Sequence, residues 1–537
     1  MSPISRTFLR LLAPLLLVVI IGFSIDNRVR ELLANTLFFS AGTLAISLPL
    51  GLILASLLFR TDCPGRKLGL VFLIAILGLP PFFIAGAWQS VFDWPWLSGL
   101  FPEDLRHSAW IHALWIQGMI GVPWVCFICG IGLLFVPREM EELRLLERSA
   151  MVAFCEISLR YSLGAILAAS LWAVVRGVTD MTVTDLYQVR TYAEELYTQI
   201  AVTGDVEEAA LAILPGTLLQ LTIFSIVLFG IFRLVPQYWP TAESWPLQYE
   251  LGWKRWPVAA GAWLLLFFIV GVPLLGLIGQ SGLDVEPTEK GLLRTWSGEK
   301  TLAMMGQSFV RIEEDGTWKA GRFNEELGWS LLIGTLAASA AVVSSVLFVW
   351  WIRERKGERY FLLFPIALML SLPSPLVGFG ITYLLNQPQV PLLVYLYDYS
   401  IAGPLLAQWL AAMPWTLLIV MHAFRSIPEP IMEQAACDGF RPWEQLLWIV
   451  LPLSRYTLLC AWLVALMISL GELGASILTV PPRVTLLSVR LWTLLHYGMT
   501  DWVAGVYLML FLIFCGLGAI LLRLAQQSWQ MTQRTRF

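Results

Sequence analysis

The sequence predicts an all-α polytopic membrane protein with about twelve transmembrane helices in two parallel six-helix repeats. Three observations carry that prediction: the composition, the placement of basic residues between long apolar runs, and a long-range internal repeat. Of 537 residues, 58% are hydrophobic and only 14% are charged, against roughly 25% charged in a soluble domain. Mean hydropathy is +0.72. So few charges cannot cover that much apolar surface in water. Composition thus excludes a water-soluble enzyme, a disordered chain and a nucleic-acid binder. The net charge of -3 offers no basic field to a polyanion. Seven Cys, an odd number set mostly within apolar runs, argue against a disulfide framework.

A helix needs about 20 apolar residues to cross the hydrocarbon core. Runs of that kind fall at 8–25, 36–58, 68–92, 109–136, 162–178, 209–235, 257–279, 329–352, 360–385, 400–424, 456–479 and 502–524. The first follows Arg6 and Arg10. It is long and lacks an A-x-A cleavage site, so it is read as a retained helix and not a signal peptide. With the N-terminus inside and strict alternation, the inside segments hold 22 of the 35 Lys and Arg, and a single long outside loop at 280–328 holds six of the other 13. By the positive-inside rule both termini are cytoplasmic. Trp94, Trp96, Trp253, Trp256, Trp350 and Trp351 lie at span ends, as an interfacial aromatic belt requires.

The chain repeats itself. Gly42-Thr43-Leu44-Ala45 recurs as Gly334-Thr335-Leu336-Ala337, an offset of 292 residues (42 to 334). Pro81 and Gly86 match Pro373 and Gly378 at that offset. Pro123-Trp124 matches Pro414-Trp415 at one residue less, as Val136-Pro137 matches Ile427-Pro428 and Glu142 matches Glu433. Six helices per unit is an even number, so both units sit the same way up. The expected domains are 1–245 and 246–537, the second carrying the outside insertion at 280–328. A solute path would run between them.

The loop after the tenth span reads Pro428-Glu429-Pro430-Ile431-Met432-Glu433-Gln434-Ala435-Ala436-Cys437-Asp438-Gly439-Phe440-Arg441-Pro442-Trp443 and runs on to Ile449-Val450-Leu451-Pro452. Pro430 suits a first helical turn. Gly439 suits the left-handed residue past a helix end. Pro442 opens a second short helix, which Pro452 is expected to end. The product is a rigid knob at the membrane surface with exposed apolar residues, the signature of a docking site.

Glu433-x-Ala435-Ala436-x-Asp438-Gly439, with Ile449-x-Leu451-Pro452 further on, resembles the coupling loop of permease subunits of binding-protein-dependent ABC importers. Gln434 replaces one Ala of that pattern. The resemblance covers nearly the whole chain as a fused double permease of the type I fold. It implies that the loop docks on a separate cytoplasmic ATPase, that two ATPase copies and a periplasmic solute-binding protein are partners, and that ATP is used by the partner and no cofactor is held by this chain. It also implies a bacterial inner-membrane location. In the first copy Glu142 and Glu147 keep the acidic helical character, but Arg148 stands opposite Gly439 and Tyr161 opposite Pro452. Docking by that half is expected with different detail.

The segments Asp180-Met181-Thr182-Val183-Thr184-Asp185 and Gly471-Glu472-Leu473-Gly474-Ala475-Ser476 are similar to fused permeases of iron(III) importers, with thiamine importers as cousins. That resemblance implies iron(III) as cargo, with thiamine or another small solute as the alternative. Asp180 and Glu472 come at the outer ends of their helices at the repeat offset. Either they line the translocation path or its outer gate, or they cap local turns. Cys126-x-x-Cys129 sits in an apolar helix without further ligands, and the four His have no metal-ligand spacing, so no metal site is expected. No Walker A pattern is present, and no catalytic cluster supports an enzyme. A secondary transporter driven by an ion gradient is the reading from a different class. It calls for charged groups near the midplane, which these spans nearly lack.

Overall fold

The computed structural model describes residues 27–92, 108–195, 198 and 247–534, with short gaps at 289–290, 313–317, 322, 354–357 and 499. In chain order its helices begin with α1 (Asn27–Arg60), α2 (Arg66–Gly78), α3 (Pro81–Phe92), α4 (Ala109–Leu134) and α5 (Arg138–Glu147). Next come α6 (Ala150–Tyr161), α7 (Leu163–Thr179), α8 (Thr182–Leu186) and α9 (Gly252–Ser281). An insertion then holds β1 (Leu283–Thr288), β2 (Gly291–Trp296), α10 (Gly298–Phe309), β3 (Val310–Ile312) and β4 (Trp318–Ala320). The remainder is α11 (Asn324–Ile352), α12 (Glu358–Ser371), α13 (Ser374–Leu385), α14 (Pro391–Tyr399), α15 (Ala402–Arg425), α16 (Glu429–Cys437), α17 (Pro442–Gly471), α18 (Ser476–Thr479), α19 (Leu487–His496) and α20 (Asp501–Arg534).

The protein is an all-α polytopic membrane protein. Among the described residues seven helices are long and apolar enough to cross a bilayer, and three further bent pairs raise the number to ten. These ten match ten of the twelve expected spans. The other two, 8–25 and 209–235, and the expected domain boundary at 245 lie outside the described residues. α11 shows why such helices suit lipid. It buries Ile333, Gly334, Ala337, Ala338 and Ala341 and turns Leu331, Leu332, Leu336, Val343 and Leu347 outward. Small residues let neighbouring backbones approach, and large apolar ones face hydrocarbon.

Four spans are not the single straight helices that the hydropathy pattern suggests. The run at 68–92 is α2 and α3, bent by 105°, and the run at 360–385 is α12 and α13, bent by 100°. Proline is the cause. Leu79 is extended (φ -72°, ψ 139°) before Pro80-Pro81; in the other pair the helix stops before Leu372-Pro373, and Pro373 itself is extended (φ -59°, ψ 138°). A residue preceding proline is pushed out of the helical region, and proline itself has no N–H to give. The run at 162–178 begins earlier, with α6, and turns by 66° into α7. The run at 456–479 breaks after Gly471, and Ser476–Thr479 forms a separate turn.

Contacts between neighbouring helices settle which way each bent pair runs. Phe39 meets Trp110 (ring centroids 6.4 Å) at one end of α1 and α4, and Phe59 meets Phe127 (5.9 Å) toward the other. Arg60 donates to the Leu133 carbonyl. The two helices are therefore parallel. The chain leaves α1 at the Arg60 end and enters α4 at the Trp110 end, so α2 and α3 together carry it from one end of the bundle to the other. They form a broken crossing, not a re-entrant loop. In the C-terminal part Ile333 clusters with Ile401 and Leu405, while Trp350 meets Phe424 (6.2 Å). The same reasoning makes α12–α13 a broken crossing.

The bundle thus has two distinct ends. One carries α5, α6, Tyr249, α16 and the start of α17. The other carries Asp180, Glu472, α8, α18, α19 and the insertion. Thr36 accepts from the Tyr192 amide (2.9 Å) and Ser330 from the Leu487 amide (2.8 Å) at that far end. The insertion is a folded cap, not only a polar loop. It holds two antiparallel two-stranded sheets, β1–β2 and β3–β4, and Lys300 pins it to Asp501 (3.0 Å) at the start of α20.

Positions paired by the sequence offset also meet in space. Trp124 and Trp415 meet with ring centroids 4.7 Å apart. Gly78 of α2 abuts Met467 of α17, and the counterpart residues Leu370 and Val175 pack together in α12 and α7.

The exposed thiols Cys155 and Cys437 both sit at the α5–α16 end, whereas Cys63, Cys126, Cys129 and Cys460 are buried. A membrane-impermeant maleimide is expected to label Cys155 and Cys437 from the same face of the membrane. A Glu299→Cys variant in the insertion is expected to label from the opposite face.

Candidate functional site

The knob at 428–450 is built as local propensity requires. Pro430 sits in the first turn of α16. At its other end the Phe440 amide donates to the Ala435 carbonyl (3.1 Å) and the Gly439 amide to the Ala436 carbonyl (3.1 Å). That pair of bonds is the Schellman closure, which places Gly439 at φ +85°. No atom lies near where a Gly439 Cβ would stand, so backbone conformation alone calls for glycine there. The Arg441 amide donates to Glu444 (2.6 Å) and α17 begins.

Pro452 does not end that second helix. The helix widens into a π turn at Leu446–Val450 and continues to Gly471. The wide turn makes room for the proline ring, which would collide with the carbonyl four residues back in a regular helix. Leu451 is half-buried and Pro452 is exposed just beyond the π turn. Glu433, Ala436, Asp438 and Gly439 are exposed, and Ala435 is buried against the bundle. The surface is crowned by apolar side chains: Phe440, Trp443, Leu447 and Trp448, the last 72% exposed.

A second knob, α5, lies at the same end. Glu142 pairs with Arg138 (2.6 Å) and Glu147 with Arg144 (2.8 Å), all at the surface. Arg144 also pairs with Glu156. Its own pKa is raised, chiefly by the hydrogen bond to Glu156. α5 ends at Arg148 in an extended conformation (φ -137°), so this knob lacks the left-handed turn of the other. Its exposed crown is Leu143, Leu146 and Met151, with Leu146 at 85%.

Under α5 lies a group of residues that the sequence pattern did not single out. Arg60 and Glu141 are both fully buried and form an ion pair through both carboxylate oxygens. Ser158 and the Tyr249 hydroxyl (3.3 Å) donate to the same carboxylate. The Tyr249 amide donates to the Arg60 carbonyl (2.8 Å), and Asp62 accepts from the Leu251 amide (2.9 Å). Burial pushes the Tyr249 phenol above its ordinary pKa. The network ties the first knob to the end of α1 and to the segment that leads into α9. Arg60 closes an apolar run and Glu141 adjoins Glu142, so only the missing exposure of Glu141 distinguishes it. Exposure is not written in a sequence.

The counterparts of Arg60 and Glu141 at the repeat offset are Ile352 and Met432. Both line a cavity of about 180 Å³ with Trp350, Phe424 and Val450. One knob is fastened by charge and the other by apolar packing.

Asp180 and Glu472 lie at the far end of the bundle, away from both knobs. Both are buried. Asp180 accepts from the Thr182 amide (3.0 Å) and hydroxyl (2.6 Å), from Arg176 (2.7 Å) and from Gln117 (3.5 Å). Glu472 accepts from the Ala475 and Ser476 amides (2.8 Å each) and the Ser476 hydroxyl. Each carboxylate holds the turn that follows its helix. At this end Asp185 also lies 3.3 Å from His496, joining α8 to α19. Cys126 and Cys129 are packed inside α4, and among the described residues no cluster of three His, Cys, Asp or Glu is placed to hold a metal ion.

Comparison with known proteins adds the family context. No family model matches the chain. It is 23% identical over 189 residues to the molybdenum transport system permease protein ModB of Azotobacter vinelandii, a match covering 33% of this chain and 84% of that protein. It is 27% identical over 211 residues to the putative 2-aminoethylphosphonate transport system permease protein PhnV of Salmonella typhimurium, covering 38% of this chain and 74% of that one. Its relatives are transport-system permeases. Each match takes up most of the relative and little more than a third of this chain.

Removing one member of the buried pair leaves the other charged and dry. Glu141→Ala is expected to destabilise the protein by about 3–5 kcal/mol, read as a lowered unfolding temperature in nanodiscs. The double change Arg60→Ile with Glu141→Met, which copies the second knob, is expected to recover most of that loss. Tyr249→Phe is expected to cost about 1 kcal/mol.

Proposed function

We propose that the chain is the transmembrane permease subunit of an ABC importer, in which two fused permease units form the translocation path and couple it to a separate ATPase. The carrying observation is the pair of apolar-crowned knobs at one end of an apolar bundle. The second is closed by Gly439 in the Glu433–Ala435–Ala436–Asp438–Gly439 pattern. A match that spans most of each permease relative but little more than a third of this chain supports the fused reading, as do the contacts between offset-related residues such as Trp124 and Trp415.

On this reading two ATPase subunits dock on the knobs around Glu142–Glu147 and Glu433–Pro452. A solute-binding protein delivers cargo at the far end. ATP hydrolysis belongs to the partner. The chain resides in the bacterial inner membrane with both termini in the cytoplasm, the side that carries most Lys and Arg. Closure of the ATPase pair draws the knobs together and rocks the helix bundles between inward- and outward-facing states. Asp180 and Glu472 serve the outer end by holding the turns that close it, since their oxygens are committed to local donors.

Iron(III) as cargo rests on the sequence resemblance alone, as thiamine does. The names of the relatives carry molybdenum and 2-aminoethylphosphonate instead. Uptake of radiolabelled iron, thiamine and 2-aminoethylphosphonate by cells that express the intact system separates these cargoes.

Affinity purification of the full chain from its own host is expected to bring down an ABC ATPase. Gly439→Val costs left-handed backbone strain without a steric clash, so it is expected to weaken that association several-fold, as is Glu433→Ala. Recovery of the chain alone, with uptake driven by an ion gradient in liposomes, would contradict the proposal and favour a secondary transporter.

A further inference from the structure

We propose that Arg176, with Trp172 and Gln117, forms a station for a tetrahedral oxyanion on the seam between the two halves. The proposal rests on the permease reading, because it takes that seam to be the path.

The place is set by packing. Trp124, Trp172 and Trp415 form a ring cluster with centroids 4.7–5.0 Å apart. Leu171, Trp172 and Val175 of α7 pack on Ala367 and Leu370 of α12. This stripe of α7 faces the C-terminal half, and Arg176 extends it by one turn beyond Trp172. Its side chain is 26% exposed and so borders open space. Trp124 lies about 22 Å along α4 from its far-end start, at 1.5 Å per residue. Arg176 is one turn, about 5 Å, back toward that end, and Gln117 of α4 bonds its carbonyl (3.3 Å). The guanidinium therefore sits on the seam near its far end, within one turn of where α7 stops at Thr179.

The chemistry is set by what is unpaired. One Arg176 nitrogen, Nη2, donates to Asp180. Arg176 Nε is buried without an acceptor, and so is Trp172 Nε1 one turn below. The Asp180 oxygens are already taken by Thr182, Arg176 and Gln117. The site therefore has donors to spare and no free carboxylate. Unmet buried donors are costly, and an oxyanion supplies the acceptors they lack. A cation over the indole faces would gain from the rings but would sit beside a guanidinium. Gln117 is buried with its Oε1 unpartnered, so one acceptor remains for an amine or a protonated oxygen of the ligand. At the repeat offset Arg176 faces no second charge, because its counterpart is Ile468. The station belongs to one half only.

The test uses the full chain in nanodiscs, with unfolding temperature read against 2-aminoethylphosphonate, inorganic phosphate, molybdate and, for contrast, thiamine. At least one oxyanion is expected to stabilise the protein in a concentration-dependent way, and thiamine is not. Arg176→Gln combined with Asp180→Asn removes both charges together and is expected to weaken that binding about tenfold or more. Trp172→Phe, which keeps a ring and deletes the N–H, is expected to weaken it about threefold, and it stands as the test should the double variant not fold. Unchanged oxyanion binding in folded variants overturns the proposal, as does stabilisation of the wild type by thiamine alone or by none of the four. ATPase co-purification from the same preparations separates the two failures: a chain that retains the ATPase while showing no oxyanion effect is a permease without this station.

Discussion

A charged pair held entirely out of water fastens the first knob to the bundle. Arg60 ends the long helix α1, Glu141 lies on the inner face of α5, and neither side chain reaches solvent. An ion pair in that setting repays its desolvation only when every remaining polar position is satisfied. Ser158, Tyr249 and the Leu133 carbonyl do most of that here, and Arg60 Nε is left over. Because Tyr249 belongs to the segment that leads into α9, the network links the first knob to α9 as well as to α1. The second knob has Ile352 and Met432 at the corresponding places, against a mostly apolar cavity that Arg353 and Arg425 also line. The two knobs share a position and an exposed crown but differ in how firmly they are keyed. A buried charge network has essentially one geometry, whereas apolar side chains slide with less penalty. The first knob is therefore keyed to the bundle in one geometry, and the second is held by contacts that tolerate small shifts.

Much of this was legible in the sequence because a bilayer is an undemanding reader. Every span must be apolar for about 20 residues whatever its neighbours are, so ten described spans fall where hydropathy puts them. Glycine and proline at fixed places in the knob write its turns directly, and Gly439 adopts the left-handed conformation its position calls for. Other features depend on packing and were hidden. Pro80-Pro81 and Pro373 mark breaks, but hydropathy runs straight through a bend of 100°. Pro452 looks like a terminator, and only the π turn before it lets the helix continue. Glu142 was singled out over Glu141 because adjacent acidic residues on a helix differ only in the direction they face.

Asp180 and Glu472 stood out as acids near span ends, and the structure spends both on holding local turns. Arg176, Trp172 and Gln117 carry the unpaired hydrogen-bonding groups instead. A single arginine near the end of an apolar helix reads as an interfacial residue. Its place on the seam becomes visible only through its neighbours, chiefly Trp172 against Trp124 and Trp415. Gln117 and Gln408 share the repeat offset and are both buried with an unpartnered carbonyl oxygen. An inspection of offset-matched polar residues would have found that pair.

The central claim is that the two knobs move together under the action of an ATPase. Cys155 and Cys437 are exposed, one beside each knob, so native thiols suffice for spin labels. The most direct measurement is the distance between those labels in the chain assembled with its ATPase, with and without a trapped, non-hydrolysed nucleotide. Nucleotide trapping is expected to shorten that distance. A distribution that does not change between the two states, in an assembly shown to bind nucleotide, would contradict the claim.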